Sequence, residues 1–139
     1  MKKVIISSVF FLVLVSCTPS LNDKDLSKLN GYWEIVKVEM PGGETKDYKV
    51  NSTIDYFEIA NKKGFRQKVM PQLNGTYLTN NLKESIQISN NDGDFYLNYS
   101  TNYAQWKEEI IELKDSVLVL KNKQNLEYHY KRQIPFSVK

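Results

Sequence analysis

The residues that could do chemistry in this chain are few, and their spacing removes most of the reactions they could serve. There is one cysteine and one histidine in 139 residues. A single thiol excludes a disulfide framework and a thiolate zinc cluster, and a single imidazole excludes a multi-histidine metal site. His129 has no second histidine or cysteine to share a ligand set with, and strand alternation turns it outward. It reads as a surface residue, and no metal or cofactor is expected. Any Ser/His/Asp triad would have to use His129, and no serine stands in such an arrangement. Glu108 and Glu109 are neighbours on a strand, so they face opposite sides and do not form an acid–base pair. Glu112 falls on the Glu108 side, where Lys107 and Lys114 make the charge alternate as on a solvated strand. Asp92-Gly93-Asp94 lacks the rest of a calcium loop and fits a hairpin turn. Glycines occur singly or as one turn pair, which is no phosphate cradle. No catalytic residue is assigned, and the chain reads as a non-enzyme. Tyrosine is the unusual supply, at nine. Tyr96, Tyr99 and Tyr103 crowd together with Trp106, and Tyr128 and Tyr130 follow near the end. An apolar ring with a hydrogen-bonding tip suits a pocket for an amphipathic ligand or a surface that meets protein or sugar; ordinary core filling by β-prone residues is the competing reading.

Cys17 gains meaning from what precedes it. Lys2 and Lys3 are followed by an apolar run from Val4 to Val15, broken by Ser7 and Ser8. That run is far short of the roughly 20 residues a transmembrane helix needs, and it has the layout of a secretory signal. Leu14-Val15-Ser16-Cys17 resembles the lipobox of bacterial lipoproteins. The resemblance implies cleavage that removes residues 1–16, a diacylglycerol on the Cys17 thiol and acylation of the new amino terminus. Each buried methylene then adds ~0.8 kcal/mol of membrane affinity, so several chains anchor firmly. Residues 17–25 follow as a polar tether. Thr18 occupies the position where, in lipoproteins with the well-known sorting rule, an aspartate retains the protein at the inner membrane. The expected address is therefore the cell envelope, at the outer membrane. Loss of Lys2 and Lys3 leaves seventeen basic against sixteen acidic residues, a net charge of +1, which gives no electrostatic case for nucleic acid.

The elements that must position any site are strands. The length suits one domain, here residues 26–139, and 41% hydrophobic and 12% aromatic content exclude a disordered chain. Asp25 to Gly31 reads as one short helical turn, capped by Asp25, with Leu26 and Leu29 on one face and Gly31 ending it. Val-, Ile-, Tyr- and Phe-rich runs bounded by turn signals then predict nine strands: Tyr32–Glu39, Ile54–Ala60, Phe65–Met70, Thr76–Thr79, Ser85–Ser89, Phe95–Ser100, Gln105–Leu113, Val117–Lys121 and Leu126–Arg132. Short turns favour sequential antiparallel pairing. Alternation sets Ile86 and Ile88, Phe95, Leu97 and Tyr99, Leu118 and Leu120, and Leu126, Tyr128, Tyr130 and Arg132 on inner faces. One apolar and one wet face suit a single sheet that curls around its own core. The expected fold is all-β: an antiparallel up-and-down barrel or strongly curled half-barrel of 8–9 strands, with a two-sheet sandwich as the alternative.

Leu29-Asn30-Gly31-Tyr32-Trp33 resembles the opening of the lipocalins, a helical turn followed by Gly-x-Trp on the first strand. Tyr130-Lys131-Arg132 resembles the basic position that lipocalins place across from that tryptophan. With the lipobox, the chain is similar to the small bacterial lipocalin-like lipoproteins. The resemblance implies a barrel closed at one end by Trp33 against Arg132, a structural pair whose cation–π contact is worth ~0.5–2 kcal/mol. It also implies a small hydrophobic or amphipathic ligand, with inward Phe57, Ile88, Leu97, Tyr99, Leu118 and Tyr128 lining its site. A second reading stays open: a filled barrel without ligand, acting as a structural or interaction module that docks an envelope protein through exposed aromatics such as Tyr96 and Tyr103.

Overall fold

Asn22, not Asp25, starts the helical turn. The computed structural model describes residues 20–135, so Cys17 and the segment before it lie outside the described residues. A 3-10 helix spans Asp23–Leu29. The Asn22 side chain accepts from the backbone N–H groups of Lys24 at 2.9 Å and Asp25 at 3.3 Å, and the Asp25 carboxylate accepts from Asn22 N at 3.0 Å. Asp25 therefore completes a reciprocal capping box instead of forming the cap alone. Leu26 and Leu29 share the buried face and plug one end of the barrel against the strands.

The strands are β1 Gly31–Glu39, β2 Thr45–Asp47, β3 Ile54–Ala60, β4 Lys63–Pro71, β5 Tyr77–Asn91, β6 Asp94–Ser100, β7 Gln105–Leu113, β8 Val117–Asn122 and β9 Glu127–Arg132. From β3 to β9 each strand pairs antiparallel with the next, and β1 pairs with both β3 and β9. Eight strands thus close a barrel, and β2 is an extra ribbon on β1. The β1–β9 ladder, with Trp33 opposite Arg132 and Glu39 opposite Glu127, excludes the sandwich, which would leave first and last strands apart.

Three local features depart from the sequence expectation. β2 holds only Thr45-Lys46-Asp47, all exposed, so no apolar alternation marks it. The two short strands expected between Thr76 and Ser89 are one strand of fifteen residues. Its register with β4 slips from Val69 opposite Thr79 to Gln67 opposite Lys83. Asn81 takes φ +60° at the slip, and local side-chain bonds from Thr79 and Asn80 serve the freed N–H groups of Asn81 and Leu82. A polar, turn-forming composition here makes a bulge, not a chain reversal. The turn before β4 is also tighter than expected. Asn61 and Lys62 both have positive φ, as a two-residue type I′ hairpin requires, so Lys63 and Gly64 belong to the strand. A Cβ on Gly64 would lie 1.8 Å from the Glu58 carbonyl oxygen, which leaves glycine as the residue that fits this crossing.

The core fills the barrel. Trp33, Phe57, Phe95, Leu97, Tyr99, Leu118 and Leu120 are fully buried, and Leu29 seals them from the helix side. A bulge in β7 between Ile110 and Glu112 shifts the alternation, so Leu113 turns inward and Glu112 does not share the face of Glu108. At the helix end, Trp33 Nε1 donates to Leu29 O at 2.8 Å, and the Arg132 guanidinium carbon lies 4.2 Å from the Trp33 ring centroid. Arg132 donates to the backbone carbonyls of Lys28, Asn30 and Asp115, which ties the helix and the β7–β8 turn to the last strand. Gly31, at φ +117°, leaves room for this cation: a Cβ there would sit 2.7 Å from Arg132 Nη1.

A candidate functional site: the buried ion cluster

One part of the barrel interior is ionic. The registers Phe57 opposite Arg66 and Arg66 opposite Glu84 put these three side chains on the inner face of β3, β4 and β5. Arg66 Nε and Nη2 each donate to a Glu84 oxygen at 3.0 Å, a two-pronged pair. Nη1 donates to Glu108 of β7 at 3.3 Å and to the Tyr99 hydroxyl of β6 at 3.4 Å. The guanidinium carbon lies 4.4 Å from the Tyr99 ring centroid, and Trp106 stacks on the same ring at 5.2 Å with planes 10° apart. Asp55, 2% exposed, pairs across β3 and β4 with Lys68 at 2.6 Å.

Burial and charge set the protonation of this cluster. Burial pushes the Glu108 carboxyl above the ordinary glutamate range, and Arg66 offsets only part of that rise. Burial also works against the Arg66 charge, but Tyr99, the Glu84 hydrogen bonds, Asp55 and Glu108 outweigh it and hold the guanidinium cationic. Burial drives the phenols of Tyr99 and Tyr130 well above the usual tyrosine value. Tyr128 is raised by burial as well as by Glu108, and its hydroxyl accepts from Asn122 Nδ2 at 3.1 Å. Neutral phenols, a fixed cation and the Glu108 carboxyl of raised proton affinity stand beside aromatic faces. Such an arrangement can hold the polar end of a molecule whose apolar part meets the rings.

The residues expected to line a ligand site divide at this level. Phe57, Ile88, Leu97, Tyr99 and Leu118 belong to one buried apolar cluster, and Tyr128 packs against it half-exposed. Tyr99 touches Arg66 directly, Phe57 stands opposite Arg66 and Leu97 opposite Glu108, and Tyr128 is bonded to Asn122. Sequence reasoning missed Asp55, Arg66, Glu84 and Glu108. The signal was phase: Asp55 alternates with Phe57 and Ile59, and Glu108 with Ile110. Glu108, read from its charged neighbours as solvated, is 6% exposed. An open groove of about 1040 Å³ also runs along β4 to β7, bordered by Gln87, Asn98, Gln105, Trp106 and the turn at Asn122. It touches Tyr99 but none of Arg66, Glu84 or Glu108.

A family model described as a lipocalin-like domain matches residues 29–120. Among solved structures, a lipocalin-like protein from Bacteroides uniformis ATCC 8492 aligns with a TM-score of 0.47 at 12% identity, covering 76% of this chain and 99% of that one. No curated protein matches the chain.

Proposed function

This chain belongs to the family of lipocalin-like domains, and on that premise we propose a lipid-anchored envelope protein that holds a small amphipathic molecule at the ionic level of its barrel. One observation carries the reading: a buried Glu108 and a half-buried Arg66 and Glu84 pair beside Tyr99 where apolar side chains would fill the same space. Removing charges from water costs several kcal/mol per ion, and apolar replacements of buried ion pairs are often neutral or stabilising. A cluster that stability alone does not call for, with shifted proton affinities, is the pattern of a binding site. In this reading the ligand lies in the groove along β4 to β7, with its apolar part against Tyr99 and Trp106 and its polar end drawn to the Arg66 group beside Tyr99.

The address rests on residues 1–18, where the lipobox supports lipidation of Cys17 and Thr18, in place of a retaining aspartate, supports an outer-membrane location. Fatty-acid labelling in a native-like host tests it: Cys17→Ala should lose the label, and undiminished labelling would contradict it. Native mass spectrometry of protein purified from its own host tests the ligand. We expect a bound small-molecule mass. The second reading, a ligand-free module that docks an envelope protein, draws on the dense packing of Phe57, Leu97 and Leu118 and on Tyr103, which is 97% exposed. A ligand-free barrel recovered with a second polypeptide would overturn the binding reading in its favour.

A further inference from the structure

On the outer wall of the barrel, closure of β1 against β9 sets the chain's histidine between two carboxylates. Glu39 stands opposite Glu127, and Glu127 and His129 are two apart on β9, so all three side chains leave the same face. His129 Nε2 lies 3.5 Å from Glu39 Oε2 and 3.4 Å from Glu127 Oε2, and the three potential ligand atoms lie within 4.8 Å of one another. The ring nitrogen itself is shielded from solvent and makes no hydrogen bond, although the side chain is 21% exposed. A shielded nitrogen aimed between two oxygens, yet beyond the ~2.7–3.2 Å of an N–H···O bond, lacks a partner that would satisfy all three groups.

A tetrahedral ion supplies one. Ligand atoms bound at about 2.1 Å stand about 3.4 Å apart along the edges of the tetrahedron, which matches the two separations to His129. We propose that Glu39, Glu127 and His129 form a binding site for a divalent transition cation of the zinc class. One imidazole nitrogen with two carboxylate oxygens suits zinc, whereas calcium and magnesium prefer all-oxygen sets. The two carboxylates balance the charge of the ion. Lys121, the register neighbour of Glu127 on β8, is directed to Glu109 at 3.8 Å. Three protein ligands leave the fourth position to water or an exogenous group. The ion would bridge the first and last strands of the barrel, so binding would stabilise the closure. The site lies on the outer wall and does not depend on the interior ligand proposed above.

The test uses untagged, metal-free full chain titrated with Zn²⁺ alone, followed by calorimetry and by thermal unfolding. Wild type is expected to bind one equivalent and to unfold at higher temperature with zinc than without. His129→Gln and Glu127→Gln should each weaken binding at least about tenfold, since loss of even outer-shell partners costs roughly 10–100-fold. Both variants should keep the metal-free unfolding temperature of wild type but lose the zinc-dependent rise. Glu58→Gln, exposed on β3, should bind as wild type does. Absence of one-equivalent binding in wild type, or binding that survives His129→Gln unchanged, would overturn the proposal.

Discussion

At the Trp33 end the barrel buries rings and aliphatic chains, and its cation, Arg132, is spent on three backbone carbonyls. At the Arg66 level it buries a cation against two carboxylates. The first arrangement joins a helix, a turn and two strands that are far apart in sequence, so its partners are fixed by closure. The second joins side chains on strands already paired by backbone bonds, and the sheet does not need it. Arg132 and Arg66 have the same side chain and both lie over an aromatic ring. What separates them is what a substitution would release: loose chain segments in one case, unpaired buried charge in the other.

Several substitutions break or sharpen this comparison. Trp33→Ala should have the largest effect. It empties the closed end and removes the ring under Arg132, and urea unfolding should show a loss of about 4 kcal/mol. Arg66→Met alone should cost about 3 kcal/mol, because Glu84 and Glu108 are left facing each other in the interior. A loss near zero would mean that water already reaches the cluster. Arg132→Met should cost about 2 kcal/mol from its cation–π contact and charge-assisted carbonyl bonds. Glu108→Gln should show its effect mainly in the pH dependence. Burial raises the Glu108 pKa above its unfolded value, so its contribution to stability is full below the ordinary glutamate range. That contribution is lost as pH rises through the higher folded value. Wild type should therefore lose stability relative to Glu108→Gln as pH rises from the ordinary glutamate range through the higher folded value, as read by denaturant unfolding at each pH. Parallel curves would mean that Glu108 stays ionised throughout.

The closed end was legible in the sequence because its signals are local or periodic. A Gly-x-Trp start, a basic residue at the end of the last strand and apolar alternation located the plug, and β3 and β7 span the residues their apolar runs predict, although the β7 bulge shifts its alternation. The β2 ribbon was hidden because Thr45-Lys46-Asp47 is held by backbone bonds to β1 without burying a side chain. The long β5 was hidden because Asn80 and Asn81 form a bulge with the composition of a turn. The ionic level was hidden for a different reason. Charge on a strand usually marks the wet face, and the in-phase positions of Asp55 with Phe57 and Ile59 and of Glu108 with Ile110 contradict that rule. Nothing local shows that Arg66 and Glu84 arrive from other strands to meet it. The Glu39–Glu127–His129 group was missed likewise: the histidine was judged by its lack of a second histidine, and the register of closure supplies carboxylates instead.

The triple variant Arg66→Met, Glu84→Leu, Glu108→Leu tests the central claim most directly, by native mass spectrometry and urea unfolding of protein purified from its own host beside wild type. If the ionic level serves binding, the variant folds with stability equal to or above that of wild type, because matched apolar residues replace a buried ion cluster. It should also lack the small-molecule mass that wild type carries. A variant that is strongly destabilised, or one that retains the bound mass, would contradict the account.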